Sequence, residues 1–249
     1  MSDFLSGLNS AWAATSNIEI VAVVFGVFYI LLAAKENSWC WPAAFIGTGT
    51  SIYLFWDGKL LMESALNLYY LAMAVYGWWQ WQYGGKRNNA KQISIDEKPV
   101  LHVSTWPIKN HLIAFGLIAI LSLVSGYLLS QKTSAELPYL DSFTTWSAVI
   151  TTWMVTRKIL ENWLYWIVIN SASIYLFIDR EFFLYAVLYV AYIIIAVFGY
   201  LQWRNSLEQI SSLERMNSLE RVNSLERINS LERINSLERV NSLELTKRN

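Results

Sequence analysis

Long runs of apolar residues, each bounded by charged or turn-forming residues, divide most of the chain. A transmembrane α-helix needs about 20 predominantly apolar residues, whereas a strand of a membrane β-barrel alternates apolar and polar positions over about ten. The runs here are continuous, so the pattern predicts an all-α integral membrane protein with seven transmembrane helices. The predicted spans are 18–34, 41–56, 60–82, 111–129, 142–156, 163–178 and 182–203.

Composition supports the membrane assignment and excludes several functions. Hydrophobic residues make up 55% of the chain and charged residues 15%, whereas a soluble domain carries about 25% charged residues. The formal net charge is zero, which gives no reason to expect a nucleic-acid partner. One cysteine, Cys40, and two histidines leave no disulfide within the chain and little basis for a metal site. Because the phosphate-binding loop, HExxH and GxSxG motifs are missing, we expect neither an enzyme nor a cofactor.

Basic residues are distributed unequally between the two sides of the predicted spans. Sixteen of the 19 Lys and Arg residues fall on one side when the loops are assigned alternately. Since Lys and Arg concentrate in cytoplasmic loops, this side is predicted to face the cytoplasm. The N-terminal segment 1–17 is then extracytoplasmic, and it lacks the basic region and cleavage site of a signal peptide. Residues 83–110 form the largest predicted cytoplasmic loop, and the C-terminus is also cytoplasmic.

The sequence repeats itself at a shift of 122 residues. SIYLF at 51–55 recurs at 173–177, and residues 41–81 share 14 identities with the 41 residues of 163–203. Four spans separate equivalent positions, so the two copies have the same orientation in the membrane, which is a parallel repeat. The predicted units are a first three-helix repeat (18–82), a linking helix (111–129) and a second three-helix repeat (140–204).

The tail, residues 205–249, contains a different repeat of seven hexads of the type NSLERI. Its apolar residues fall at every third position, so on an α-helix they drift by about 60° per step and form no single face. This pattern is not a coiled-coil heptad. We interpret the tail as a low-complexity cytoplasmic extension that is disordered or partly helical. The alternative is a helix that binds a partner or drives oligomerisation.

Polar groups inside the predicted spans are the candidates for function, because each costs free energy in a membrane unless it is paired or hydrated. In the sixth span, Trp163, Trp166 and Asn170 lie along one helical face, and Tyr175 is offset by five residues. Two indoles and an amide suit a flat ligand that stacks and forms hydrogen bonds. The alternative is that the tryptophans anchor the helix at the membrane surface and Asn170 bonds a neighbouring helix.

The third span carries a second polar face with Glu63, Asn67 and Tyr70. Through the repeat, Asn67 corresponds to Tyr189, so the two copies line a central site unequally, which suits an asymmetric ligand. Glu63 lies near the predicted outer surface, where simple solvation is the alternative. The predicted substrate-binding residues are Trp166, Asn170, Tyr175, Asn67, Tyr70, Glu63, Trp163 and Tyr189.

A glutamine and a tryptophan end the third span, as Gln80 and Trp81, and the seventh, as Gln202 and Trp203. We interpret these residues as hydrogen-bonding groups at helix ends and as aromatic anchors at the membrane surface. They are not expected to contact the ligand.

Two stretches, ENWLYWIVINSASIYLF at 161–177 and ESALNLYYLAMAVYGWWQW at 63–81, resemble the PnuC-type vitamin transporter family, specifically its nicotinamide riboside transporters. The resemblance covers about residues 15–204 and excludes the tail. It implies a 3+1+3 arrangement similar to that of SWEET sugar transporters, assembly as a homotrimer, and a location in the bacterial inner membrane. The residues that it implies for the site are Trp166, Asn170, Tyr175, Asn67 and Tyr70.

The resemblance also implies facilitated diffusion of nicotinamide riboside, made one-way by a cytoplasmic kinase that phosphorylates the riboside. Members of the family carry different vitamins, including riboflavin and thiamine, so another vitamin or a small sugar remains an alternative substrate. A membrane enzyme is a further alternative, against which stands the lack of paired titratable residues within the spans. A purely structural protein is disfavoured because burying Asn67 and Asn170 without a use is costly.

Overall fold

The computed structural model describes residues 17–57, 61–84, 101–132, 137–179 and 183–248. Within these residues the chain forms seven α-helices, which confirms the all-α prediction. The helices are α1 (Asn17–Ala34), α2 (Cys40–Asp57), α3 (Leu61–Tyr83), α4 (Ile108–Lys132), α5 (Pro138–Thr156), α6 (Asn162–Asp179) and α7 (Phe183–Arg248). Almost all of the predicted extracytoplasmic segment 1–17 and most of the predicted loop 83–110 lie outside the described residues.

Each predicted span falls on one of these helices. By length and composition alone, α1, residues Ile108–Gln131 of α4 and residues Ala186–Asn235 of α7 can cross a membrane. For the other four helices the membrane span stays a prediction.

The tail is helical as far as Arg248, as part of α7. This differs from the expected disordered or partly helical extension. One compact unit of the chain ends at Arg204 and a second begins at Asn205.

Packing follows the chain order. Helix α1 packs on α2 and α2 on α3; α4 packs on α5 and α5 on α6; α3 also contacts α5. A cluster of buried apolar side chains joins α4, α5 and α6, consisting of Ile118, Met154, Ile159, Tyr165 and Ile169. Between membrane helices, such side chains stabilise the bundle mainly through van der Waals packing, because lipid is as apolar as they are.

The segment before α4 attaches to the turn between α5 and α6. The amide of Ser104 donates to the carbonyl of Lys158 (3.0 Å), and the amide of Leu160 donates to the carbonyl of Ser104 (2.8 Å). Leu101 and Val103, just before Ser104 in the chain, are buried. The segment is therefore fixed to the second copy of the repeat, and the corresponding turn between α1 and α2 has no such pairing among the described residues.

The α1–α2 and α5–α6 turns have the same backbone geometry. Glu36 (φ 55°) and Lys158 (φ 50°) are equivalent at the 122-residue shift, and both adopt the left-handed conformation. In each turn this residue donates its amide to the carbonyl three residues earlier at 3.0 Å. The next amide donates to the carbonyl five residues earlier, at 2.9 Å in one turn and 3.1 Å in the other. Both helices thus end in a Schellman motif. We call the end of the bundle that carries both turns the turn end.

Four tryptophans form a row at the turn end. The ring centroids of Trp41 and Trp81 are 5.4 Å apart at 88°, and those of Trp163 and Trp203 are 5.4 Å apart at 87°. The two inner indoles, Trp81 and Trp203, are 6.0 Å apart and join the copies. Edge-to-face geometry at these distances is favourable for aromatic pairs. The contacts of one copy therefore recur in the other at a shift of 122.

Each inner tryptophan is also hydrogen-bonded to the other copy. The indole N–H of Trp81 donates to the carbonyl of Val155 (3.1 Å), and that of Trp203 donates to the carbonyl of Ala33 (2.9 Å). Val155 and Ala33 are themselves equivalent positions in α5 and α1. The two indoles therefore form hydrogen bonds at helix ends, as expected. They are buried, however, with exposed fractions of 2% and 0%, so the interpretation as surface anchors is wrong.

Candidate functional site

Two of the three residues predicted to share a face of α6 are deeply buried together. Trp163 is 2% exposed and Asn170 is 3% exposed, and they are two helical turns apart. Trp166 is half-buried and packs against the apolar cluster between α4, α5 and α6. Tyr175 is 60% exposed, because an offset of five residues rotates it by about 140° from Asn170 around the helix. The structure therefore brings Trp163 and Asn170 together on one face and places Tyr175 away from them.

Tyrosines from three helices lie between the two copies. Tyr70 in α3 lies near Tyr189 in α7. The ring of Tyr189 is 5.5 Å from that of Tyr192. Tyr29 in α1 lies near Tyr70, and its ring centroid is 6.0 Å from that of Trp41. Phenol groups combine an aromatic face with a donor and an acceptor, as a polar cyclic ligand requires.

The structure thus brings together the predicted residues Tyr70 and Tyr189 and adds Tyr29 and Tyr192. Tyr192 is the equivalent of Tyr70 in the repeat, and this correspondence is a signal that could have identified it. Tyr29 corresponds to Thr151, so the repeat contains no such signal for it. Asn67 is half-buried in α3, and Glu63 lies in the same helix, with its side chain outside the described residues.

Several buried polar atoms at the starts of α2 and α6 have no hydrogen-bond partner within the described residues. They include the indole N–H of Trp41 in α2, that of its equivalent Trp163 in α6, and the Oδ1 atom of Asn162. Asn162 uses its Nδ2 to donate to the carbonyl of Ile159 at 2.6 Å. An unsatisfied buried polar group costs about 1–3 kcal/mol, so a ligand that supplies a partner is favoured by that amount.

The chemistry available here is binding. Among the described residues, no group of three or more His, Cys, Asp or Glu side chains is placed to hold a metal ion. The buried groups described above are amide, indole and phenol, which recognise a ligand through stacking and hydrogen bonds.

Apolar helices around buried amide, indole and phenol groups are typical of membrane transporters. The chain belongs to the nicotinamide mononucleotide transporter family, whose sequence model matches residues 16–205. The predicted membership of the PnuC-type vitamin transporters is therefore confirmed.

Curated relatives are transporters rather than enzymes. The nicotinamide riboside transporter PnuC of Escherichia coli K12 is 23% identical over 208 residues, covering 77% of this chain and 87% of that protein. The riboflavin/roseoflavin transporter RibM of Streptomyces davaonensis is 22% identical over 188 residues, covering 74% of this chain and 83% of that protein. The expectation that the chain is not an enzyme is confirmed by this family membership.

A solved structure has the same overall fold. The crystal structure of the vitamin B3 transporter PnuC matches with a TM-score of 0.60 at 21% sequence identity. The match covers 83% of this chain and 90% of that chain. At 21% identity, this structural similarity shows the fold alone.

Proposed function

We propose that the protein carries nicotinamide riboside across the bacterial inner membrane by facilitated diffusion. The observation that carries this proposal is the buried face of α6, where Asn170 lies two turns from the indole N–H of Trp163, which has no hydrogen-bond partner in the part of the chain that the structure describes. The carboxamide of nicotinamide both donates and accepts, so Asn170 complements it in both senses. The pyridinium ring, a flat cation, stacks on an indole face. The nicotinamide riboside transporters among the relatives support the same substrate.

The ribose is bound by the tyrosines between the two copies in this proposal. Tyr70 and Tyr189 come from opposite copies and lie near each other. Asn67 is one turn from Tyr70 in α3, and Glu63 is one turn further. Trp166 packs beside the buried face of α6. Tyr175 takes part in binding only if α6 rotates during transport.

The wider architecture in this proposal is a 3+1+3 parallel repeat of the SWEET type, with the N-terminus outside and the C-terminus in the cytoplasm. The tryptophan contacts that recur at a shift of 122 support the arrangement. The excess of basic residues on one side supports the orientation. The protein is proposed to be a homotrimer, and phosphorylation of the riboside by a cytoplasmic kinase makes uptake one-way.

Isothermal titration of the detergent-solubilised protein with nicotinamide riboside tests the substrate. Thiamine, riboflavin and nicotinamide mononucleotide serve as comparison ligands. Saturable binding of the riboside alone is the expected result, and binding of none of the four would overturn the proposal. Asn170→Ala is expected to abolish binding, whereas Ser171→Ala is the matched control, since Ser171 is exposed on the same helix and bonds only the carbonyl of Ile167.

Riboflavin is the second candidate substrate, because RibM is as similar to this chain as the riboside transporters are. Its isoalloxazine ring is also flat and carries amide groups, so it fits the same combination of indole and asparagine. The same titration distinguishes the two. Uptake into proteoliposomes without an ion gradient then tests facilitated diffusion, which a strict requirement for a sodium or proton gradient would exclude.

A further inference from the structure

An ion pair joins the two copies at the turn end. The Nζ atom of Lys158 lies 3.0 Å from Oε2 of Glu36, and the two residues occupy equivalent positions in the repeat. Equivalent positions that contact each other across two copies lie at the axis that relates the copies. This pair therefore stands where the two copies meet.

The backbone at both positions favours a different residue. Glu36 and Lys158 are held at φ 55° and 50°, where glycine is the usual residue at the end of a Schellman motif. A residue with a Cβ costs about 1 kcal/mol or more there. Both copies keep a charged residue despite this cost, and the charges are opposite. Strain that is retained at both ends of one contact indicates that the side chains are needed for function.

The pair is sequestered with the tryptophan row. The side chain of Lys158 is 5% exposed and that of Glu36 is 20% exposed. The ammonium group also lies 4.6 Å from the ring centroid of Trp81, which is a cation–π distance. A buried ammonium group is stable only while its partners stay in place, because removing one partner of a buried pair leaves an uncompensated charge.

We propose that the Glu36–Lys158 pair and the Trp81–Trp203 contact form the gate that closes the turn end. The proposal rests on the proposed transport function, which requires each end of the bundle to open in turn. Opening the turn end means separating the α1–α2 turn from the α5–α6 turn. That movement breaks the ion pair, the indole contact and the two indole–carbonyl hydrogen bonds together. Once open, Lys158 and Glu36 are hydrated, so the pair sets the balance between the closed and open states.

Cys40 provides a built-in reporter for this gate. It is the only cysteine in the chain, it is 0% exposed, and it directly precedes Trp41 of the tryptophan row. Its thiol is also close enough to Lys158 to interact electrostatically. A maleimide in the aqueous phase therefore reaches Cys40 only when the turn end opens.

The test measures the rate at which maleimide labels Cys40 in the full-length protein, reconstituted in liposomes without substrate. Glu36→Gln is expected to raise the rate on the order of tenfold, because it strands the buried ammonium group in the closed state. Lys35→Gln is the matched control, since it removes an exposed charge from the preceding residue, and its rate is expected to equal that of the wild type. Equal rates for Glu36→Gln and the wild type would overturn the proposal.

Charge exchange separates gating from a general loosening of the turn. Glu36→Lys alone and Lys158→Glu alone are each expected to accelerate labelling. The double exchange is expected to restore a rate within a few-fold of the wild type, since the repeat gives position 36 the same relation to Trp203 that position 158 has to Trp81. A double variant that labels faster than both single variants would contradict the gate.

Glu36→Gly tests whether faster labelling comes only from poor folding of the turn. The substitution removes the carboxylate, as Glu36→Gln does, but it also relieves the strain of the left-handed backbone. It is expected to be more thermally stable than Glu36→Gln and still label faster than the wild type, whereas slow labelling would count against the gate. None of these measurements uses a substrate. Failure of the riboside to bind would therefore overturn the proposed substrate and leave the gate standing. Unchanged labelling with normal riboside binding would overturn the gate and leave the proposed function standing.

Discussion

The tryptophan contacts of the two copies are nearly identical at the turn end, whereas the copies differ in the middle of the bundle. At the turn end the outer and inner indoles of each copy are 5.4 Å apart at almost the same angle. In the middle, Asn170 corresponds to Thr48 and Tyr189 to Asn67. Contacts that break and form again as two copies move can be the same in both copies. A site that binds an asymmetric ligand needs different residues from each copy. The symmetric tryptophan contacts therefore suit opening and closing of the turn end, and the asymmetric middle of the bundle suits recognition of the ligand.

The largest expected effect comes from enlarging either of two equivalent glycines at the turn end. A Cβ on Gly199 would lie 2.7 Å from Cε2 of Trp163, and a Cβ on Gly77 would overlap the ring of Trp41 in the same way. Gly199→Ala and Gly77→Ala are each expected to destabilise the protein by about 1–3 kcal/mol, because overpacking a tight contact costs that much. Thermal unfolding in detergent measures the effect. A large loss for one variant and none for the other would show that the copies are not mechanically equivalent.

Much of this end of the molecule follows from the sequence. The apolar runs predict each of the seven helices, and the repeat pairs Gly77 with Gly199 and Trp81 with Trp203. The sequence does not indicate that Trp81 and Trp203 are buried and bonded to the opposite copy. Tryptophan near a helix end is equally compatible with a membrane surface and with an interface between helices, and only the packing of the whole bundle distinguishes the two.

The site shows the same limit. The spacing of Trp163 and Asn170 places both on one face, and the structure buries both. Tyr175 is polar and close in sequence to Asn170, yet its angle around α6 exposes it. Tyr29 comes from a helix whose copy has a threonine at this position. Its place beside Tyr70 depends on how α1 packs, which neither residue spacing nor the repeat specifies.

The second prediction removes the asymmetry of the middle region. Asn170→Thr gives the second copy the residue of the first, and Thr48→Asn does the opposite. Asn170→Thr is expected to weaken riboside binding by roughly tenfold to a hundredfold, since a ligand amide loses both of its partners. Thr48→Asn is expected to change it less than about threefold. Titration calorimetry provides both affinities, and equal losses in the two variants would mean that the copies contribute equally to the site.

The third prediction concerns the two unpaired indole N–H groups. Trp163→Phe and Trp41→Phe remove equivalent donors at equivalent positions, and both leave an aromatic ring against a glycine. Trp163→Phe is expected to weaken riboside binding by about fivefold, the value of one hydrogen bond, because Trp163 shares the face of Asn170. Trp41→Phe is expected to leave the affinity unchanged. If Trp41→Phe instead has the larger effect, the ligand is bound on the side of α2 and the assignment of α6 is wrong.

The smallest effect is expected from removing the tail. The apolar hexad residues from Leu213 to Ile234 are each more than half exposed, so they contribute little burial to the folded chain. The family match also ends at residue 205. A chain that ends at Arg204 is therefore expected to keep the thermal stability and riboside affinity of the full-length protein.

A chain that ends at Gln202 is the matched comparison, because it also removes Trp203. The indole of Trp203 donates to the carbonyl of Ala33 and packs on Trp81 and Trp163. We expect removal of Trp203 and Arg204 to lower the thermal stability more than removal of all 45 residues of the tail. If deletion of the tail alone lowers stability or changes the mass of the detergent-solubilised assembly, the hexads contribute to folding or to oligomerisation.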